Sequence, residues 1–235
     1  YSTNEDISNL SPGDYKVIVT DANNCEITSQ TYSITEPDEL VVTGEKSNFN
    51  GFEISCNGAN DGAIDITPSG GTPNYSYSWT KDGEFYSTSG DISNLAPGNY
   101  EITLTDANLC ETTASFTISE PESISISSTI SDYNGYPVSC NGAQDGNIDI
   151  SVSGGTGVFT YSWSSGETTQ DISGLVAGAY QLTVTDSNNC QISETFVIEQ
   201  PDKLNLVAEV NQVSCKGASD SNIDITVTGG TPNYT

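Results

Sequence analysis

The sequence contains no histidine and no methionine, and only 5 of its 235 residues are Lys or Arg, against 32 Asp or Glu. Each shortage excludes a class of function. Without imidazole, Ser and Cys lack their usual activating base, and zinc loses its commonest nitrogen ligand. So few cations, under a formal net charge of -27, cannot displace counterions from a nucleic-acid backbone or hold an anionic membrane surface. No stretch approaches the roughly 18 consecutive apolar residues of a membrane helix, so no direct membrane insertion is expected. No basic segment followed by an apolar one opens the chain. No window carries the 3.6-residue period of an amphipathic helix. The negative charge reads first as solubility and self-repulsion between neighbouring units, with divalent-cation binding as the competing reading.

What is present is repetition. "SCNGANDGAIDI" at 55–66 returns as "SCNGAQDGNIDI" at 139–150 and "SCKGASDSNIDI" at 214–225. Cys56, Cys140 and Cys215 follow a serine, whereas Cys25, Cys110 and Cys190 end "DANNC", "DANLC" and "DSNNC". Pro37, Pro121 and Pro201 close "SITEP", "TISEP" and "VIEQP", and Trp79 and Trp163 stand in "YSYSW" and "FTYSW". The period is about 80 residues, the size of one small domain. This register divides the chain into 1–37, the second half of one unit; 38–121 and 122–201, two whole units; and 202–235, the first half of a fourth. The chain therefore reads as a fragment of a longer array.

Within a unit the hydrophobic period is two. "AIDIT" sets Ile64 and Ile66 against Asp65, "YSYSW" sets Tyr75, Tyr77 and Trp79 against Ser76 and Ser78, and "YEITLTD" sets Tyr100, Ile102 and Leu104 against Glu101 and Thr103. β-Branched and aromatic residues punctuated by Gly, Pro, Asn and Asp give about seven short strands per unit. The expected fold is all-β: a tandem array of immunoglobulin-like (PKD- or FnIII-like) sandwiches. "DISNLSPGDY", "DISNLAPGNY" and "DISGLVAGAY" end at Tyr15, Tyr100 and Tyr180, each placed to form a tyrosine corner, while Trp79 and Trp163 serve as core tryptophans. "NDG" and "QDG" are expected to be tight turns with a cysteine-bearing strand before them.

Cysteines at long regular intervals without a C-x-x-C pair read as disulfides formed outside the cytoplasm. If first and last strands lie side by side, Cys56 pairs with Cys110 and Cys140 with Cys190, leaving Cys25 and Cys215 to partners outside the fragment. The rival set is Cys25–Cys56, Cys110–Cys140 and Cys190–Cys215, which leaves no orphan but asks each bridge to cross a unit boundary within the reach of a disulfide.

No catalytic residue emerges. Asp61 with Asp65, Asp145 with Asp149 and Asp220 with Asp224 resemble a glycosidase pair, but their recurrence in every copy suits a turn and an outward strand position better. Asp106 with Asn108 and Asp186 with Asn188 are the candidate Ca²⁺ ligands, the one cofactor candidate; Asp-x-Asn is also a common Asx-turn sequence, and no EF-hand loop is present. Phe49, Phe52, Phe85, Tyr86, Tyr133 and Tyr136 lie in segments that vary between copies. They suit either packing of an insert against a neighbouring unit or a glycan platform.

"SCNGANDGAIDITPSGGTPNYSYSW" followed by "DISNLAPGNYEITLTDANLC" and "FTISEP" closely resembles the SprB repeat, found in very large surface proteins of gliding, Bacteroidetes-type bacteria. The resemblance covers essentially the whole chain. It implies export by the type 9 secretion system, display on the outer cell surface, and a stalk segment of a filamentous adhesin acting in gliding motility and attachment. The implied partners are the substratum or a surface polysaccharide, met through the parent protein, and the outer-membrane gliding and secretion machinery. A glycan-binding or passive surface-fibre module is the alternative. The family supplies no catalytic residue. Lys216, Ser221 and Ala177 depart from the pattern of the other copies, which bears only on local turn geometry.

Overall fold

The computed structural model describes residues 3–235, and every regular element in it is a β-strand. The first four strands are short: β1 (Gly13–Tyr15), β2 (Ile18–Thr20), β3 (Glu26–Thr28) and β4 (Tyr32–Ile34). They form two hairpin-like pairs, β1 with β4 and β2 with β3. Seven strands follow: β5 (Val41–Lys46), β6 (Gly62–Ser69), β7 (Ser76–Lys81), β8 (Glu84–Ser87), β9 (Ile92–Leu95), β10 (Gly98–Thr105) and β11 (Glu111–Ile118). The next repeat has six: β12 (Ser125–Ile130), β13 (Gly146–Ser153), β14 (Thr160–Trp163), β15 (Ile172–Leu175), β16 (Gly178–Thr185) and β17 (Gln191–Ile198). A final pair, β18 (Asn205–Asn211) and β19 (Asn222–Thr228), closes the chain. The strand that the third repeat lacks corresponds to β8. There "SSGET" is too short for a hairpin arm and turns back on Trp163, whose N–H donates to Glu167 O at 3.0 Å.

Contacts group the chain into two compact units. The first contains the described residues up to Lys46, Ala63–Ser93 and Gly98–Thr117; the second contains Ser47–Gly62, Asn94–Pro97 and Ile118–Thr235. The first is built on two sheets, ordered β5-β6-β9 and β11-β10-β7-β8. Alternation along β10 buries Tyr100, Ile102 and Leu104, which join Trp79, Val42, Ile64 and Ile92 inside. Phe116 stacks tilted on Trp79 at 5.9 Å and reaches across to Gly44 on the facing sheet, where a Cβ would stand 2.8 Å from its ring. The apolar stripes predicted from period two are thus the inner faces of a β-sandwich.

The second unit repeats the plan with sheets β12-β13-β15 and β14-β16-β17. Ile148, Ile150, Ile172 and Leu175 from one sheet meet Trp163, Leu182, Val184, Phe196 and Ile198 from the other in one core. Both tryptophans also satisfy their indole N–H inside: Trp79 on Ser89 O and Gly90 O at 3.0 Å, Trp163 on Thr169 O at 2.9 Å. Burying a large ring is favourable only when that donor is paired. The tyrosine hydroxyls of Tyr15 and Tyr180 donate to Ser11 O at 2.7 Å and Val176 O at 3.0 Å, four residues back in each case. Tyr100 is buried edge-on against Tyr86 with centroids 5.3 Å apart.

The terminal pairs carry exposed apolar side chains: Ile27 is 70 % exposed and Ile223 64 %. In each repeat the "GGT" loop is tied to the residues that follow the Pro boundary. Gly71 N donates to Asp38 O, Gly155 N to Glu122 O and Gly230 N to Asp202 O, at 2.8, 2.9 and 2.8 Å. Gly154, at φ +75°, packs so closely that a Cβ would lie 2.0 Å from Ser123 O.

Two expectations fail here. Cys56 and Cys140 are not on strands; each sits in the loop that precedes β6 or β13. The tight turn is C-N-G-A, closed by Ala59 N on Cys56 O and Ala143 N on Cys140 O at 3.0 Å. The glycine of "NDG" and "QDG" is needed for packing, not for positive φ. A Cβ on Gly62 would meet Leu95 O and Ile118, and one on Gly146 would meet Leu175 O and Val138, all at 3.1 to 3.2 Å.

Candidate functional site

The recurring cysteine loop and Asx turn meet at the joint between the repeats 38–121 and 122–201, and the residues that form that joint, Ser55–Asp61, Glu120, Pro121 and Asp186–Cys190, all lie in the second unit. One side of the joint is the loop Ser55–Asp61. Asp61 Oδ1 accepts from Ser55 N at 3.1 Å, which closes the loop around Cys56. Asn57 Nδ2 donates to Pro121 O at 3.0 Å, and Gly58 N donates to the Glu120 carboxylate. The same contacts recur one repeat later: Asn141 Nδ2 on Pro201 O at 3.1 Å and Gly142 N on Gln200 Oε1 at 2.8 Å. The acid or amide before Pro121 and Pro201 is therefore a receptor for the preceding cysteine loop. That role was missed in the sequence, where the signal was the pairing of "SCNG" with "EP" or "QP" in each full copy.

The other side is the β16–β17 turn. Asp186 is 5 % exposed, and all its acceptor capacity is engaged. Oδ1 takes the N–H groups of Asn188 and Cys190, each at 2.9 Å, and Oδ2 takes Thr156 N at 2.9 Å and Thr156 Oγ1 at 3.0 Å. Burial alone would raise its pKa, but the Cys190 and Thr156 donors outweigh this and hold it below the ordinary carboxylate value. Asp106 makes the same cage with Asn108 N, Cys110 N and Thr72 N, at 2.8, 2.9 and 2.9 Å. Its pKa is lowered mainly by the Thr72 and Cys110 amides. Asp145 and Asp220 are lowered by the Ser139 and Ser214 groups they accept from.

The two sides are joined covalently. Cys56 bonds to Cys190 with Cα atoms 5.7 Å apart, across 134 residues of sequence. The expected Cys56–Cys110 and Cys140–Cys190 bridges do not form, nor do the rival Cys25–Cys56, Cys110–Cys140 and Cys190–Cys215; Cys25, Cys110, Cys140 and Cys215 are free and exposed. The reason is topological. Cys140 lies before the start of β13, whereas Cys190 lies at the turn after β16, level with the far end of β13, because Thr185 pairs with Thr160 just beyond it. Eight residues of strand separate those ends by roughly 26 Å, far more than the ~7 Å limit for bridged Cα atoms. A cysteine at one end of a sandwich can reach only a neighbour's opposite end.

The aromatic insert lies in the same joint. Phe49 and Phe52 form a small bridge, and Gly51 N donates to Asn48 Oδ1 at 2.8 Å. Asn188 Nδ2 donates to Phe49 O and Ser55 O at 3.2 and 3.0 Å, and Asn50 Nδ2 donates to Asn188 Oδ1. This is packing of an insert against the neighbouring repeat's turn. Tyr133 and Tyr136 repeat the bend, with Tyr133 N on Tyr136 O at 2.7 Å, while Phe85 stands 70 % exposed on β8.

The four Ca²⁺ candidates thus form two Asx turns in which the carboxylates face N–H donors. A cation would have to displace those donors, and no group of three or more Cys, Asp or Glu suited to a metal occurs among the described residues. Nor do the repeated aspartates form a catalytic pair: Asp61 and Asp145 close loops, while Asp65 and Asp149 point outward on β6 and β13. No helix among the described residues is long and apolar enough to cross a membrane.

Comparison with known proteins agrees with this reading of the repeats. A family model described as the SprB repeat matches residues 53–83, 136–168 and 207–235. Each match begins before a cysteine loop, and the first two run through Trp79 and Trp163. None of the curated proteins compared with the chain matches it. Among solved structures, the three N-terminal domains of the bacteriophage RB49 Highly Immunogenic Outer Capsid protein (Hoc) are similar, at 19% identity and a TM-score of 0.46, over 83% of this chain and 71% of that one.

Proposed function

We propose, from the premise that this chain carries three SprB repeats, the repeats of large adhesin-type surface proteins, that it is a force-bearing stalk segment of a filamentous cell-surface adhesin acting in gliding motility and attachment. The observation that carries this reading is the disulfide-closed joint, Cys56 to Cys190, between the loop of one repeat and the turn of the next. A stalk needs joints that hold orientation under load. A hydrogen-bonded linker with a covalent clasp provides that, whereas a catalytic or ligand-binding array would concentrate its polar groups in a cleft. In this reading the chain is exported by the type 9 system, works outside the cell, and meets the substratum through other parts of its parent protein.

The test is particle tracking on live cells of the source organism with antibody raised against this chain. Directed travel that stops when the proton-motive force is collapsed supports a gliding stalk. Static or merely diffusing label refutes the motility part and leaves a passive fibre. Saturable binding of glycans by the isolated chain would favour the alternative module, for which exposed Phe85 and half-exposed Tyr86 are the surface features.

A further inference from the structure

The Cys56–Cys190 bond accounts for two of six cysteines, and the four left free are not scattered. Two belong to the cysteine-loop class, Cys140 and Cys215, and two to the Asx-turn class, Cys25 and Cys110. The structure presents each class in one geometry. In the loop class, Ser55 N, Ser139 N and Ser214 N donate to Asp61, Asp145 and Asp220 at 3.1, 3.1 and 3.0 Å, and Ala59, Ala143 and Ala218 close the turn on the cysteine carbonyl at 3.0 to 3.1 Å. In the turn class, Asp21, Asp106 and Asp186 each hold the cysteine N–H through Oδ1 at 2.8 to 2.9 Å, and Asn24, Leu109 and Asn189 precede the cysteine with φ of 65°, 65° and 66°.

The seat of the bond also recurs. Around it lies a cleft of about 280 Å³ lined by Cys56, Asn57, Pro121, Glu122, Ile124 and Gly155. One repeat later a cleft of about 420 Å³ is lined by Cys140, Asn141, Pro201, Asp202, Leu204 and Gly230, the same positions in the same order. The Asn-to-Pro and Gly-to-acid-or-amide hydrogen bonds that set the joint are present at both.

We propose that the Cys56–Cys190 bond is one instance of a rule: every loop cysteine bonds the turn cysteine of the following repeat. Cys140 then bonds the turn cysteine of the repeat beginning at Asp202, and Cys110 bonds the loop cysteine of the repeat ending at Pro37. Both counterpart positions fall outside residues 1–235 by the register of the array, so within this chain Cys110 and Cys140 stay free. The covalent loops overlap, each enclosing one turn cysteine and one loop cysteine that belong to its neighbours. A run of repeats is thereby laced end to end.

Each bond forms by thiol–disulfide exchange with an exported protein disulfide. One cysteine thiolate attacks the donor to give a mixed disulfide. The partner thiolate then displaces the donor, which leaves as a dithiol with both electrons and both protons. The inference rests on reading the chain as part of a repeat run, but it does not depend on motility or adhesion.

The test is disulfide mapping of the natural surface protein that carries this chain, alkylated on harvest, digested without reduction and analysed by mass spectrometry. The expected result is a Cys140 peptide linked to the next "D-x-N-x-C" peptide and a Cys110 peptide linked to the preceding "S-C" peptide. Alkylated Cys110 and Cys140 would overturn the lacing and leave the stalk reading intact. A Cys110–Cys140 or Cys140–Cys190 link would overturn it as well. The isolated chain serves as the control, with Cys56–Cys190 linked and Cys110 and Cys140 alkylated.

Discussion

Replacing Cys56 with Ser removes a single cross-link whose effect can be worked out from its span. The bond closes a loop across a sequence separation of 134. In the chain-entropy treatment, such a loop restricts the unfolded ensemble by about 17 cal/mol/K, or roughly 5 kcal/mol at 25 °C. With a urea m-value of about 2.5 kcal/mol/M, the unfolding midpoint of the transition containing Trp163 should fall by about 2 M. The assay is equilibrium urea denaturation followed by tryptophan fluorescence, on oxidised wild type and on Cys56→Ser, Cys190→Ser and the double variant. All three variants should coincide, because either single change removes the same bond. Added reductant should bring wild type to their level and leave them unmoved. Cys110→Ser and Cys140→Ser, at exposed free cysteines, should stay within about 0.5 kcal/mol of wild type. If Cys110→Ser abolished the reductant response while Cys56→Ser and Cys190→Ser behaved differently from each other, the Cys56–Cys190 assignment would be wrong.

Asp186→Ala strands the Cys190, Asn188 and Thr156 donors and should cost about 2–3 kcal/mol by thermal melting, with Asp186→Asn, which keeps one acceptor oxygen, losing less. The cage carboxylates of Asp106 and Asp186 have lowered pKa values. Their stabilisation is therefore complete above about pH 3.9, the unfolded value, and is lost as pH falls through the lower folded values; melting temperature should be level from pH 5 to 7 and drop below pH 4, and a maximum near pH 3 would contradict this sign. Gly154→Ala drives a Cβ to 2.0 Å from Ser123 O at φ +75°, so backbone strain alone should cost about 1–3 kcal/mol, measurable in the same urea assay. Pulled from its ends, the 235-residue chain should extend to roughly 820 Å when reduced but only roughly 350 Å when oxidised, at about 3.5 Å per residue with the 134-residue span locked; equal contour lengths in single-molecule force spectroscopy would refute the clasp.

Period-two stripes, tryptophans in "YSYSW" and "FTYSW", and the Leu-x-Pro-Gly-x-Tyr corner were enough to specify strands and sandwich, because each is a local consequence of strand geometry and turn chemistry. The Asx turns at Asp106 and Asp186 were equally legible, since their partners lie two and four residues away. Tertiary structure alone decided where the cysteines go. Sequence spacing cannot say which end of a sandwich a loop occupies. Side-by-side first and last strands suggested Cys140–Cys190, and the set that leaves no orphan suggested Cys110–Cys140. The strand polarity of β13 and β16 places the two cysteines of one repeat at opposite ends, so Cys56 finds Cys190 across the joint. The "SCNG" loop and the residue before each boundary proline are likewise ordinary turn sequences until the fold brings Asn57 to Pro121 and Gly58 to Glu120, 62 to 64 residues apart. Local sequence set the pieces because their energetics are short-range. The joint needed the whole fold because its partners meet only after two repeats have closed.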